Sequence, residues 1–251
     1  MFVTVCNKEY LIGFEVMLKS LIDNNPRVKK ENISFLIISN DLEEQDLLTS
    51  KKIHKNISIK KFNQEKYKDI EALKQQSATF GDYTKFEIFG LEEYDKIIFL
   101  DSDILILGNI DKLIDYKGNF AAVRDLYIDQ YNTGVMVIEN THLNKDTVNN
   151  LINLVLTFGI TEHLDQDIIN HYFYDEIEEM SLSYNFLKTY NKQLFSRSGL
   201  PKHIKILHFI CKKPWQNKPI FQIEEGTLWQ ERYWFEYYSK VFRIKSQINE
   251  F

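Results

Sequence analysis

The chain changes hydrophobic period along its length, and the blocks predict elements. Met1 to Cys6 is an apolar run of strand length, followed by a polar break from Asn7 to Tyr10. From Tyr10 to Asn25, Phe14, Leu18 and Leu21 fall near helical spacing, and Asn24-Asn25-Pro26 ends the pattern. Ile33–Ser39 and Ile57–Phe62 predict the next two strands, with a helix between them opened by a capping-box pattern at Asn40/Glu43 or Asp41/Glu44. The polar stretch Asn63–Ser77 predicts nothing definite. Gly81–Tyr94 predicts a helix carrying Tyr83, Phe86, Phe89 and Leu91, and Lys96–Asp101 predicts a strand. A short turn or helix follows from Gly108 through Leu113. Asn119–Arg124 and Asn132–Ile138 are further strands. Val148, Leu151, Ile152, Val155 and Phe158 mark a helix, another starts near Asp165, and Ile204–Phe209 is a late strand. In the tail, Trp229, Tyr233, Trp234, Tyr237, Tyr238 and Phe242 recur at spacings of three and four, which predicts one amphipathic helix within 226–245 packed back onto the rest. Strands alternating with helices indicate an α/β fold with a mostly parallel sheet. No repeat or linker divides the chain.

The strand Lys96-Ile97-Ile98-Phe99-Leu100 stops at Asp101-Ser102-Asp103. Near-continuous apolar character is the mark of a strand buried on both faces, and open α/β sheets bind ligands at the carboxyl ends of their strands. If the strand continues, alternation sends Asp101 and Asp103 to one side and Ser102 to the other. Two hard oxygen donors there make half of a divalent-cation site, although Asp and Ser also begin ordinary turns. His208 ends another apolar strand and is followed by Lys212-Lys213-Pro214-Trp215. Were the two strand ends to meet, two carboxylates, one imidazole and two cationic side chains would converge. Hard oxygens with one imidazole, completed by phosphate oxygens, suit Mn²⁺ or Mg²⁺.

Composition narrows the classes. The 251 residues suffice for one large α/β domain, and a formal net charge of −5 argues against a nucleic-acid binder. Two cysteines, Cys6 and Cys211, form no Cys-x-x-Cys pair, so a disulfide framework and structural zinc are not expected. No apolar run approaches the ~20 residues of a membrane span. The start of the chain does not read as a signal peptide, and the expected location is the cytoplasm. G-x-x-x-x-G-K-[ST], G-x-G-x-x-G, His-Glu-x-x-His and G-x-S-x-G patterns are all lacking, which leaves metal-assisted chemistry at the aspartates as the leading enzymatic option.

Read in order, Val3-Thr4-Val5 with Asn7 and Tyr10, Lys85, Phe99-Leu100-Asp101-Ser102-Asp103, Asn132-Thr133-Gly134-Val135, Leu164-Asp165-Gln166-Asp167, and His208-Phe209 with Lys213-Pro214-Trp215 resemble glycosyltransferase family 8. This is the family of glycogenin and of bacterial α-galactosyltransferases. The resemblance runs from residue 3 to residue 215. It implies one GT-A domain over residues 1–251, Rossmann-like, with the aromatic helix packed on it. It also implies Mn²⁺-dependent, retaining transfer of a hexose from a UDP-sugar. By position, Asp101, Asp103 and His208 would hold the metal. Thr4, Val5, Asn7 and Tyr10 would line the uracil and ribose pocket, and Lys213 would grip the diphosphate. Asp101, Ser102 and Asp103 would contact the donor. Lys85, Asp103, Asn132, Asp165 and Gln166 would surround its sugar, with Asp125 a further candidate for a sugar hydroxyl. Asp165 and Gln166 are the expected catalytic pair, Gln166 positioning the sugar or stabilising positive charge.

The resemblance favours UDP-glucose over UDP-galactose, from the contexts of Asn132–Val135 and Lys85. It implies a saccharide or a sugar already attached to a protein as acceptor; Tyr184 and Tyr190 do not match a self-glucosylated position well. Homodimers occur in the family, but nothing in this chain demands one. One departure stands out. The loop after Phe209 is one residue shorter than is usual in the family, and Cys211 stands near the place of a glycine that lets backbone approach a phosphate. A non-catalytic UDP-sugar-binding protein is therefore one alternative, and a galactosyltransferase another. A two-metal nucleotidyltransferase fits the His208 strand and Lys-Pro-Trp less well.

Overall fold

The computed structural model describes residues 1–73, 83–190, 200–216 and 230–249. In chain order the elements are β1 (Phe2–Val5), α1 (Leu11–Asn24), α2 (Pro26–Lys30), β2 (Phe35–Ile38), α3 (Leu48–Ile53), β3 (Ile57–Lys60) and α4 (Lys68–Leu73). Then come β4 (Lys96–Leu100), β5 (Ile104–Ile106), α5 (Asp111–Ile114), β6 (Phe120–Arg124), β7 (Tyr131–Glu139), α6 (Lys145–Phe158) and α7 (Asp165–Tyr172). β8 (Glu178–Met180), β9 (Phe186–Leu187), β10 (Ile206–His208) and α8 (Glu231–Asn249) complete the series.

Seven strands form one sheet in the order β3-β2-β1-β4-β7-β6-β8, and β5-β10-β9 form a second, small one. β1 pairs in parallel with both β2 and β4, so the strand order reverses at β1. The crevice between the carboxyl ends of β1 and β4 is the place where such sheets take ligands. Alternation sends β1 and β4 side chains to two cores. Phe2, Ile98 and Leu100 pack with α1 and Trp234 of α8 on one face. Val3, Ile97 and Phe99 pack with Phe86, Phe89, Leu151 and Ile169 on the other. Both faces are covered, which accounts for the unbroken apolar runs of these strands.

The predicted strands and principal helices are present, with ends shifted by a few residues. Three local expectations are corrected. The helix expected over 81–94 is a 3-10 turn at Thr84–Gly90; residues 81–82 lie outside the described ones. Thr84, Phe86, Ile88 and Phe89 are all buried there, and no single face of a 3.6-residue helix carries that set. The capping box lies at Glu43 and Asp46 rather than at Asn40/Glu43 or Asp41/Glu44. β4 ends at Leu100, so Asp101 and Asp103 stand on the β4–β5 turn rather than on a continuing strand. The tail helix forms as expected but runs later, Glu231–Asn249; residues 226–229 lie outside the described ones. No described helix is long and apolar enough to cross a membrane.

Candidate active site

Two strand pairings assemble the site. β4 runs antiparallel to β7 with Leu100 opposite Val135, and the Asp101 N–H donates to Gly134 O at 2.8 Å. This sets Asn132-Thr133-Gly134 beside the first aspartate. β10 runs antiparallel to β5 with His208 opposite Ile104, and the Phe209 N–H donates to Asp103 O at 2.9 Å. His208 thereby faces the second aspartate although about a hundred residues separate them.

His208 Nε2 lies 3.2 Å from Asp103 Oδ1 and 3.8 Å from Asp101 Oδ2. One ligand atom from each of the three residues falls within 4.8 Å of the others. Two ionised carboxylates at ~4 Å repel by about 4 kcal/mol at the effective dielectric of a protein edge. The structure offsets this with lysines. Lys213 Nζ contacts both Asp103 Oδ2 and Phe209 O. Lys85 Nζ lies 3.4 Å from Asp101 and 3.0 Å from Asp165 Oδ2. Burial works against the Asp103 carboxylate, yet the His208 ring and Lys213 hold it well below the usual carboxylate range. For Asp101 burial prevails and pushes its carboxyl up. Burial also opposes the Lys85 charge, but Asp101 and Asp165 raise that ammonium above the ordinary lysine value. A pair of oxygen donors and one imidazole nitrogen, already matched by a lysine cation, fits a hard divalent ion such as Mn²⁺ or Mg²⁺.

Two glycines make this packing possible. A Cβ on Gly134 would lie 2.3 Å from His208 Cε1, so the ring rests directly on the β7 backbone. A Cβ on Gly13 of α1 would lie 2.4 Å from Trp215 and 2.7 Å from Ser102 O. Cys211 takes the left-handed conformation, φ 62°. That is the geometry a glycine adopts freely, and for cysteine it costs roughly 1–2 kcal/mol.

The triad lies between two cavities. One of about 770 Å³ is lined by Val5 at the end of β1, Asn7 and Tyr10 in the loop that follows, Ser39 and Asp41 after β2, Phe62 after β3, and Lys85, Asp101–Asp103, Asp165 and Lys213. The other, about 230 Å³, is lined by Lys85, Asp101, Asp103, Asn132–Gly134, His163, Asp165, Gln166, His208, Cys211 and Lys213. Most residues singled out in the sequence thus line one or both. Thr4 and Asp125 line neither. Thr4 is fully buried, and the Asp125 carboxylate accepts hydrogen bonds from Tyr127 N at 2.9 Å and Tyr190 Oη at 3.0 Å. Asn7 Oδ1 accepts from Tyr10 N at 2.9 Å, which closes the loop after β1.

Leu164, just before α7, has φ 52°, an uncommon conformation for leucine that brings Asp165 and Gln166 to the cavity wall. Thr133 Oγ1 joins them: it accepts from Lys85 Nζ and donates to Asp165 Oδ2, both at 3.2 Å. Gln166 Oε1 accepts from Asn132 Nδ2 at 3.1 Å and Thr133 N at 3.4 Å. Its carbonyl end is thus engaged with β7, and the amide nitrogen is its donor end. Sequence reasoning gave no individual site role to His163, Thr133, Ser39, Asp41 or Asn185. For Ser39 and Asp41 a signal existed, because both follow the carboxyl end of a parallel strand. For Asn185 the sequence carries none; it enters only through its contact with His208 Nδ1, at 3.0 Å.

The chain is similar to known proteins in sequence family and in fold. The family model described as "Glycosyl transferase family 8" matches residues 2–218. Glycogenin-1 of Mus musculus is 31% identical over 140 residues, covering 53% of this chain and 41% of its own length. The glycosyltransferase GlyF of Streptococcus pneumoniae serotype 4 is 27% identical over 197 residues, 74% of this chain and 48% of its own. The chain spans 23% to 59% of the length of the first curated relatives it matches. An active-site mutant of LgtC superposes with a TM-score of 0.77 at 17% identity, covering 95% of each chain, and the shared fold is GT-A.

Proposed function

This chain belongs to glycosyltransferase family 8, and on that premise we propose that it transfers a hexose, with retention at the anomeric carbon, from a UDP-sugar to a saccharide or protein-linked saccharide. Residues 1–251 act in this reading as one catalytic domain. The observation that carries it is the Asp101–Asp103–His208 cluster held between a cavity of nucleotide size and a smaller polar one.

Val5, Tyr10 and the backbone around Asn7 receive the uracil and ribose. Asp101, Asp103 and His208 would hold Mn²⁺, or Mg²⁺, whose charge would neutralise that of a departing diphosphate. Lys213 turns its ammonium from Asp103 to the phosphate oxygens, where charge develops in the transition state. Lys85, Asn132 and the Gln166 amide nitrogen hold the sugar hydroxyls and orient its ring. Asp165, fixed by Lys85 and Thr133, stands beside the oxocarbenium-like carbon and favours its positive charge. The acceptor enters along His163 and Cys211, on the rim of the small cavity.

Glucose is the favoured donor sugar, on the contexts of Lys85 and Asn132–Val135; galactose is the second reading. The test is UDP release from a panel of UDP-hexoses with saccharide acceptors, with Mn²⁺ and with EDTA. Metal-dependent transfer from UDP-glucose, abolished in Asp103→Ala, is expected. Full transfer in EDTA, or binding of UDP with no turnover of any UDP-hexose, would overturn the enzymatic reading.

A further inference from the structure

We propose that Asn185 is a positioning residue that fixes His208 in the Nδ1–H form and ties it to the amides of the sugar cavity. The proposal rests on the metal-holding role given to His208 above.

The backbone N–H of Gly134 can only donate, and it points at Asn132 Oδ1 at 3.0 Å. That atom is therefore the oxygen of the Asn132 amide, and an acceptor. Asn185 approaches the same oxygen at 2.7 Å, so the Asn185 atom there is its nitrogen; an oxygen would oppose an oxygen. The other arm of the Asn185 amide is then Oδ1, and it faces His208 Nδ1 at 3.0 Å. A carbonyl oxygen only accepts, so Nδ1 carries the hydrogen. In the neutral ring this leaves the lone pair on Nε2, the nitrogen turned towards Asp103 and Asp101. A histidine that holds a metal through one nitrogen commonly has its other N–H held in this way, and the partner sets both tautomer and ring orientation.

The chain continues in the other direction. Asn132 Nδ2 donates to Gln166 Oε1 at 3.1 Å, so four side chains, His208, Asn185, Asn132 and Gln166, share one polarity. Asn185 is 1% exposed and His208 4%, so water cannot readily substitute for a missing partner. Asn185 stands immediately before β9, whose pairing with β10 puts Leu187 opposite His208. The small sheet thus sets the first member of the relay and β7 the third.

Two readouts test this. In ¹⁵N-labelled, metal-free protein, imidazole ¹⁵N–¹H correlation spectra should show a proton on His208 Nδ1, and Mg²⁺ should shift the Nε2 signal while that proton stays. Recorded at a pH where the ring carries a single proton, a spectrum with a bare Nδ1 and that proton on Nε2 would overturn the proposal. Because this spectrum needs no metal, it decides the matter even if the wild type takes up neither Mg²⁺ nor Mn²⁺, an outcome that would sink the metal reading instead. The second readout is Mn²⁺ titration of two variants. Asn185→Leu removes both arms and should weaken Mn²⁺ binding about 10–100-fold. Asn185→Asp keeps an acceptor for Nδ1–H but loses the donor to Asn132; it should hold Mn²⁺ within about threefold of wild type, by the same partner rule, while sugar transfer falls. Wild-type Mn²⁺ affinity in Asn185→Leu would overturn the proposal. Equal loss of affinity in both variants would do so as well, because it would reduce Asn185 to a packing role. Should the leucine variant not fold, the spectrum and the aspartate variant still decide.

Discussion

At Gly134 a missing side chain shapes the site. The His208 ring occupies the place of a Cβ, with Cε1 only 2.3 Å from where that atom would stand. Gly134→Ala must therefore move either a buried ring or the central β4–β7 ladder. It should destabilise the fold by about 1–3 kcal/mol, the usual cost of overpacking, and weaken Mn²⁺ binding more than tenfold, a loss within the range of disturbed metal-site supports. Thermal unfolding and Mn²⁺ titration check the two effects; an alanine variant that binds Mn²⁺ like the wild type would contradict the account. Single residues were unevenly legible. Asp101, Asp103 and His208 announce themselves because carboxylates and an imidazole end apolar strands. Gly134 could be read locally only as part of the strand Asn132–Ile138, since its constraint comes from a ring 74 positions away in the chain. The role of Asn185 was hidden for the same reason.

Among elements, α8 shows what the hydrophobic period could and could not convey. Its aromatic spacing predicted a helix packed on the rest, and Trp234 is fully buried. Spacing gave no hint that Trp234 would meet Trp215 at 5.7 Å, or that Trp215 would in turn meet Tyr10 at 5.5 Å, edge-on beside the large cavity. Trp234→Ala should cost about 3–5 kcal/mol and also weaken UDP binding, because Trp215 loses its backing. Denaturant unfolding and UDP titration would separate the effects; undiminished UDP affinity in the folded variant would show that α8 does not support the pocket. α8 also carries Lys245, whose Nζ lies 2.6 Å from Glu15 Oε2 on α1. Glu15 is nearly inaccessible, and burial raises its carboxyl despite Lys245 and Thr49. A raised carboxyl favours the folded state most when protonated, so its contribution is present below the unfolded value and lost as pH rises through the folded one. Glu15→Gln should thus gain stability relative to wild type as pH rises from about 4.5 towards 7, from the carboxylate range upward. Parallel urea-unfolding curves for the two proteins across that interval would contradict this. The 84–90 turn was illegible in another way. Its apolar residues are abundant enough to suggest a helix, but they are buried all round its axis.

The whole molecule brings distant chain segments to one crevice. The order reversal at β1 opens a gap between the ends of β1 and β4. Each parallel strand from β1 to β3 delivers its following loop to the nucleotide-sized cavity. The small sheet then swings His208 and Lys213 across from the second half of the chain. Alternating strands and helices made the parallel sheet readable in advance. The antiparallel return of β7 beside β4 and the separate β5-β10-β9 sheet were not, because both depend on long-range register that no local pattern encodes. In the proposed reading a divalent ion and a nucleoside diphosphate are joint ligands of this one crevice, each favouring the other by linkage. The direct measurement is calorimetric titration of UDP into chelator-treated protein, with and without Mn²⁺, for the wild type and for Asp103→Asn. Mn²⁺ should tighten UDP binding in the wild type at least about tenfold, a coupling of about 1.4 kcal/mol, and leave the variant unchanged. Equal UDP affinity in the wild type with and without Mn²⁺ would contradict the account.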